Sequence, residues 1–303
     1  LYCQRKGVWL KIPKSNARAQ TGRQPISVRW VNVNKWDDLH PNYRSRLVAR
    51  QLKAHDKSGE TYFATAPPLE ALRTVLSLAM TRTGGHQPIW DPASPNRTQI
   101  SLIDIKRAYF NAKIDEGDAP TFVSLPNEDP DSEHMCGQLL RHMYGTRGAA
   151  DGWQEEYSAM LLSLGFQQGL SCPNVFRHKE KGFHTSVHGD DFTSEGCKIA
   201  LDWFESEVAK RYEIIVSPRL GPGPDDAKEG SCLNRIIRWC EDRIEYEADP
   251  RQAEKLAAEC GLEGAKSVAT PGVKSSFHEL EEDKPLESRL NTAFRGSAAR
   301  ANY

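Results

Sequence analysis

The 303-residue chain predicts an α+β fold. Apolar residues recur at helical spacing in several stretches, and short β-rich runs pair around turn residues. The two patterns do not follow the regular β-α-β alternation of a parallel sheet. Hydrophobic residues make up 38% and charged residues 27%, so wholesale disorder is excluded and the length suits two domains or one domain with lobes.

Residues 26–33 are rich in β-branched side chains and read as a strand. Asn34 to Asn42, with Asp37, Asp38, His40 and Pro41, reads as a turn, and residues 43–50 as a second strand, together a hairpin with a long loop. Pro67 and Pro68 introduce a helix with Leu69, Leu72, Leu76 and Ala79 on one stripe. Residues 84–98 are rich in Gly, Pro, Asn and Asp and read as a loop or an insert. Ser101 to Ile105 is a short apolar strand with Asp104 near its end, and 115–138 is acidic with little periodicity. A helix over about 150–164 carries Trp153, Tyr157, Leu161 and Leu164, and Gly165 stops it. Strands at 183–187 and 192–194 flank His188-Gly189-Asp190-Asp191, a hairpin with carboxylates at its tip. Leu201, Phe204, Val208 and Tyr212 mark another helix, residues 220–224 a break, and 236–239 with 244–246 a further hairpin. Asp249 caps a last helix with Pro250 at its first position. No internal repeat is visible.

The net charge of -1 hides an asymmetry: residues 1–60 hold 13 Lys/Arg against 4 Asp/Glu, and the remainder 27 against 37. A basic end on an acidic body suits a polyanionic partner, and also an ordinary solvated basic surface. No apolar run approaches the ~18 residues of a membrane helix, so no membrane role is expected. The first residues show no apolar signal region, so secretion is not indicated; without an initial Met the chain reads as a fragment. Seven scattered Cys, without a C-x-x-C, argue for free thiols in a reducing compartment. His134, Cys136 and His142 have a loosely metal-like spacing but no evident fourth ligand.

Adjacent carboxylates at a hairpin tip repel unless a cation neutralises them. Mg2+ takes oxygen ligands and tolerates carboxylates together with substrate phosphates, with Mn2+ as an alternative. Asp190 and Asp191 therefore form a candidate metal and catalytic pair, with Asp104 as the third carboxylate of a two-metal site. An Asp-Asp turn taken alone is most often an exposed polar turn. Arg44, Arg46 and Arg50 alternate along one strand and share a face, a row suited to the triphosphate of a nucleotide or to plain solvent.

Several segments occur together and in order: residues 43–50, Asp104-Ile-Lys-Arg-Ala-Tyr-Phe-Asn-Ala112, 143–153, Leu164-Gly-Phe166 with Pro173-Asn-Val-Phe176, Val187-His-Gly-Asp-Asp-Phe192, and Val268-Ala-Thr-Pro271. Over about residues 26–274 this resembles the reverse transcriptase of copia-type LTR retrotransposons, part of a Pol polyprotein. The resemblance implies a right-hand polymerase with fingers (26–100), palm (101–216, with a fingers segment inserted at 115–142) and a primer-grip hairpin and thumb (217–274). Residues 1–25 stand as a basic extension, and 275–303 as the start of a connection toward an RNase H domain.

By the same resemblance Asp104, Asp190 and Asp191 match the palm aspartates. His188 stands where the family usually has Tyr, through drift or as a ring packed beside the primer terminus. Arg44 and Arg46 fall among the basic fingers residues that meet the incoming nucleotide, and Arg50 is placed on template phosphates. Tyr109 matches the bulky residue under the sugar, or is a core aromatic. Gly145, Thr146 and Arg147 resemble the segment that supports the templating base and nucleotide. Leu233, Asn234 and Arg235 occupy the place of the primer grip, and Trp153 reads as core. The expected activity is RNA-directed DNA synthesis from an RNA template, a DNA primer and dNTPs, beside RNase H and integrase segments of the polyprotein. A catalytically degenerate nucleic-acid-binding remnant of the same fold is the alternative. The resemblance places the chain inside the cell, in a cytoplasmic virus-like particle with its product delivered to the nucleus.

Overall fold

A computed structural model describes residues 2–34, 39–51, 64–82, 86–115, 117–248, 250–269, 272 and 284–301. Its contacts divide the chain into two units, Leu1–Lys228 and Glu229–Tyr303.

The first unit opens with α1 (Tyr2–Arg5), β1 (Trp9–Pro13) and α2 (Lys14–Thr21). These three elements lie within residues 1–25, the stretch expected as a basic extension. β1 pairs with a strand far along the chain, β6 below, with Trp9 opposite Leu139 and Pro13 opposite Met135. The hairpin expected at 26–50 forms from β2 (Val28–Asn34) and β3 (Tyr43–Ala49), with Val33 opposite Arg44 and Val31 opposite Arg46. Residues 35–38 of its turn lie outside the described residues. β3 stops at Ala49; Arg50 has left the strand, and its N–H donates to the Ser27 carbonyl. Arg50 therefore does not continue the row of Arg44 and Arg46.

α3 (Leu69–Leu78) buries Ala71, Leu72, Val75 and Leu76, the stripe that its spacing predicts. β4 (Thr98–Ile105) begins three residues before the predicted strand because it is buried on both faces, so no alternation marks its start. A 3-10 turn at Ala108–Asn111 follows Arg107, whose φ is +54°. The acidic stretch contains β5 (Phe122–Ser124) and β6 (Met135–Leu139), which complete a three-stranded sheet in the order β1-β6-β5. Gly137 in β6 leaves room for an indole: a Cβ there would lie 2.8 Å from Cγ of Trp9.

Next come α4 (Ala149–Ser163), β7 (Gln167–Gln168), β8 (Val175–His178), β9 (Phe183–His188), β10 (Asp191–Cys197), α5 (Lys198–Arg211) and β11 (Ile214–Val216). They build a six-stranded antiparallel sheet in the order β11-β4-β10-β9-β8-β7. Ile103, Ile105, Phe183, Val187 and Phe192 line one face and pack on Trp153, Tyr157 and Leu161 of α4 and on Leu201, Phe204 and Val208 of α5. Because side chains alternate, Asp104, His188, Asp191 and Glu195 belong to the opposite face.

The second unit holds β12 (Glu229–Cys232), β13 (Arg235–Trp239), β14 (Ile244–Glu247), α6 (Pro250–Glu259) and α7 (Ser288–Ala301). The predicted hairpin is β13-β14; β12 adds a third strand through the two-residue loop Leu233-Asn234. Both loop residues have positive φ, +53° and +60°, as a type I′ turn requires. Arg235 is buried, with Cζ 5.5 Å over the Tyr246 ring, so its guanidinium is directed into the hairpin rather than offered to solvent. The expected cap Asp249 and the Thr270-Pro271 part of the last motif lie outside the described residues. All seven cysteines are free thiols. Among the described residues no helix is long and apolar enough to cross a membrane.

Candidate active site

The strand register assembles the carboxylates. Asp104 on β4 lies directly opposite Asp191 on β10, and Asp191 lies opposite His188 on β9. Directly opposed side chains on one face have Cβ atoms about 5 Å apart. Asp190 occupies the two-residue turn Gly189-Asp190 between the strands. Gly189 has φ +63°, while Asp190 keeps negative φ, the pattern of a type II′ turn. Two hydrogen bonds hold the turn: Ile105 N–H donates to the Asp190 carbonyl at 2.8 Å, and Trp153 Nε1–H to the Gly189 carbonyl at 2.7 Å. Trp153 is core, as expected, and it also fixes the aspartate turn.

Charge crowding shows in the acidities. Burial, then the charges of Asp190 and Asp104, push Asp191 up to about 6. Burial and Asp190 also raise Asp104, against the opposing pull of Arg44, Arg46 and Lys106. Burial lowers the pKa of His188, which leaves its ring neutral at neutral pH. A carboxyl raised in the folded state binds protons that the unfolded chain releases, so its contribution to stability falls as pH rises from about 4 to about 6. We therefore expect Asp191→Asn to raise the Tm of the cation-free protein at pH 7 and to narrow its advantage toward pH 4.5. A variant no more stable than wild type at pH 7 would contradict the crowding.

A cleft of about 510 Å³ faces Asp104 and is lined in part by Arg44, Arg46, Lys106, Arg107 and Tyr144. Lys106 and Arg107 share Glu213, at 2.7 and 3.3 Å. Among the described residues neither Arg44 nor Arg46 forms an ion pair, so both guanidiniums are available to an anion; Arg46 lies 5.8 Å from the centroid of the Tyr144 ring. Tyr109, half-buried in the 3-10 turn, packs on Tyr144 with centroids 4.6 Å apart. Burial and then the Asp190 charge raise both phenols, Tyr144 to about 12, so each keeps its proton. Tyr144 was not singled out from the sequence, although its phenol sits in the field of Asp190 and Arg46; its place inside a quoted motif was the available signal.

Gly145 joins the hairpin to the sheet. It has φ +82°, and a Cβ there would lie 2.0 Å from the Ala49 carbonyl oxygen. Ala49 N–H donates to the Tyr144 carbonyl at 2.7 Å, Gln51 N–H to the Gly145 carbonyl, and Arg147 N–H to Oε1 of Gln51. Thr146 turns its hydroxyl to the Met143 carbonyl. Tyr144, Gly145 and Arg147 thus hold the end of β3 in place, and Thr146 braces their turn. Leu233, Asn234 and Arg235 belong to the second unit. His134, Cys136 and His142 do not converge: His134 is exposed, Cys136 is core, and His142 lies against Gly152.

The family model for reverse transcriptase (RNA-dependent DNA polymerase) matches residues 16–215, which span both the hairpin and the aspartate sheet. The chain belongs to this reverse transcriptase family. The retrovirus-related Pol polyprotein from transposon RE2 of Arabidopsis thaliana is 22% identical over 293 residues, 92% of this chain and 18% of that protein. The corresponding polyprotein from transposon RE1 of the same plant is 24% identical over 158 residues, 50% of this chain and 10% of that protein. This reverse transcriptase chain thus spans less than a fifth of the curated relatives it matches. A foamy viral protease-reverse transcriptase solved in complex with double-stranded DNA is 12% identical, with 86% of this chain and 38% of that one covered and a TM-score of 0.46. The copia-type reverse transcriptase expected from the motifs and the α+β polymerase fold both stand.

Proposed function

We propose that the chain copies RNA into DNA as the polymerase portion of a retrotransposon Pol polyprotein. The observation that carries this reading is the Asp104–Asp191 pair beside the Asp190 turn, at a cleft lined by Arg44 and Arg46, which form no ion pair among the described residues. Crowded carboxylates whose protons are held by burial and then by mutual charge are suited to a cation, and an all-oxygen donor set fits Mg2+, with Mn2+ as a substitute. Two such ions, when bound, supply an activated primer 3′-oxygen and neutralise charge on the leaving pyrophosphate. Asp104, Asp190 and Asp191 hold the ions. Arg44 and Arg46 grip the triphosphate, and Tyr109, backed by Tyr144, closes the space beneath the sugar. Gly145, Thr146 and Arg147 support the nucleotide through the end of β3. Arg50, His188 and the Leu233-Asn234 tip meet nucleic acid, whereas Arg235 supports that tip from within its hairpin. Residues 26–100 act as fingers, 101–216 as palm with a fingers segment inserted at 115–142, and 217–274 as primer-grip hairpin and thumb. RNase H and integrase segments work beside the chain, in a cytoplasmic particle that delivers DNA to the nucleus.

Primer extension on a poly-rA template with oligo-dT and Mg2+, beside a hybrid-binding titration, tests the reading. Extension supports a polymerase, and tight binding without extension supports the degenerate remnant. Two variants test the nucleotide pocket. Tyr109→Ala should raise kcat/KM for ribonucleotides relative to deoxynucleotides, a ratio that lost stability does not mimic; an unchanged ratio in an active variant makes Tyr109 a core residue. Arg46→Ala should weaken use of dNTP by about 1.5–3 kcal/mol, one charged hydrogen-bonded contact, with little change in how hybrid affinity varies with salt. A salt slope shallower by about 1 with intact dNTP kinetics would move Arg46 to the template.

A further inference from the structure

We propose that His86, His184 and Glu195 bind a divalent transition-metal ion, Zn2+ by the chemistry of the donors, which fastens the segment after α3 onto the six-stranded sheet. Glu195 on β10 and His184 on β9 are directly opposed partners, and Nδ1 of His184 lies 2.6 Å from Oε1 of Glu195. His86 reaches them from the segment beyond α3, with Nε2 3.3 Å from Oε2 of Glu195. One donor atom from each residue lies within 4.8 Å of the others, a span that small rotamer shifts close to tetrahedral coordination.

The carboxylate points to a ligand. Glu195 is fully buried, and its Oε2 accepts no hydrogen bond. His86 stands close to that oxygen, and the carboxylate draws its ring toward the protonated form, but Nε2 also meets the Leu78 carbonyl at 2.9 Å, so the one proton there is not aimed at Oε2 alone. A buried carboxylate oxygen left this way is costly, and a cation bound to it removes the cost. Ligating histidines usually donate one ring N–H to a carbonyl or carboxylate, which fixes the tautomer; with Nε2–H of His86 on the Leu78 carbonyl, the lone pair left for an ion is on Nδ1. Two imidazoles and one carboxylate favour Zn2+ over Mg2+. Three protein ligands leave the fourth position to water, on the side where His184 is 13% exposed. The cluster is separate from the aspartates: Glu195 lies four residues along β10 from Asp191, about 13 Å at the rise of a strand.

The test uses the full chain, stripped with a chelator and then held in excess Mg2+ to occupy the oxygen-only aspartate site. Co2+ should add a visible absorption band of tetrahedral nitrogen and oxygen ligation, and Zn2+ should abolish that band at one equivalent. Zn2+ should also raise the Tm of wild type. Glu195→Gln and, separately, His184→Gln should weaken Zn2+ binding by at least about tenfold and lose the Tm response. Polymerase activity is not the readout, so failure here leaves the proposed function untouched. Wild type that retains no Zn2+ in excess Mg2+, or folded variants that bind it as wild type does, would overturn the site. Co2+ bands of thiolate ligation would place the ion at cysteines and overturn it equally. If Glu195→Gln does not fold, His184→Gln, a change at a side chain that is itself partly exposed, decides alone.

Discussion

Asp190→Asn should reduce primer extension by about 10²–10³-fold or more while hybrid affinity hardly changes. Removing one preorganised electrostatic group from a reaction centre has effects of about this size, because the group acts where charge develops. The substitution keeps the shape of the side chain, and the features that set the turn are retained: positive φ at Gly189, Ile105 N–H on the Asp190 carbonyl and the Trp153 indole on the Gly189 carbonyl. Backbone phosphates supply most of the affinity for nucleic acid, and they do not depend on a carboxylate. Extension and hybrid binding should be measured on one preparation. An unimpaired variant would mean that Asp190 is an ordinary turn residue.

Gly145→Ala should destabilise the first unit by about 2–4 kcal/mol, the range of substitutions that combine backbone strain with a steric clash. At φ +82° an L-residue is strained, and the new Cβ would meet the Ala49 carbonyl oxygen, a backbone atom that cannot rotate away. Relief requires the end of β3 to separate from residues 144–145, which carries Arg44 and Arg46 away from Asp104. KM for dNTP should therefore rise even under conditions where the variant is fully folded. Gly189→Ala is the control: its φ of +63° imposes backbone strain, but a Cβ there meets nothing within 4 Å. Its cost should stay near 1 kcal/mol. Equal denaturation midpoints for the two variants would show that the contact with Ala49 does not matter.

The parts that the sequence reading found are those whose information is local. The β2-β3 hairpin, α3, α4, α5 and the aspartate turn each carry their own periodicity or turn residues. Asp104 was recognised because it ends an apolar run and matches a family motif. What escaped depends on partners far away. β6 contains Gly137, which weakens any strand signal, and only Trp9 across the sheet accounts for it. β12 is four residues long and contains another glycine. Tyr144 gains its significance from Tyr109 and Arg46, and Glu195 from His184 and His86, none of them a sequence neighbour. Arg235, expected with its neighbours at the primer grip, turns inward once its strand is paired and Tyr246 lies beneath its guanidinium.

The pairing of β1 with β6 also fixes an order of events during synthesis. Trp9 leaves the ribosome well over a hundred residues before its partner Leu139. At ordinary translation speeds that delay is on the order of ten seconds. During it β1 is an unpaired apolar edge, and β4 likewise waits for both β10 and β11. Such distant pairings give the unit a high contact order, so folding should be slow and completed only after Val216 has emerged. Nascent chains stalled before that point should remain protease-sensitive across the whole first unit.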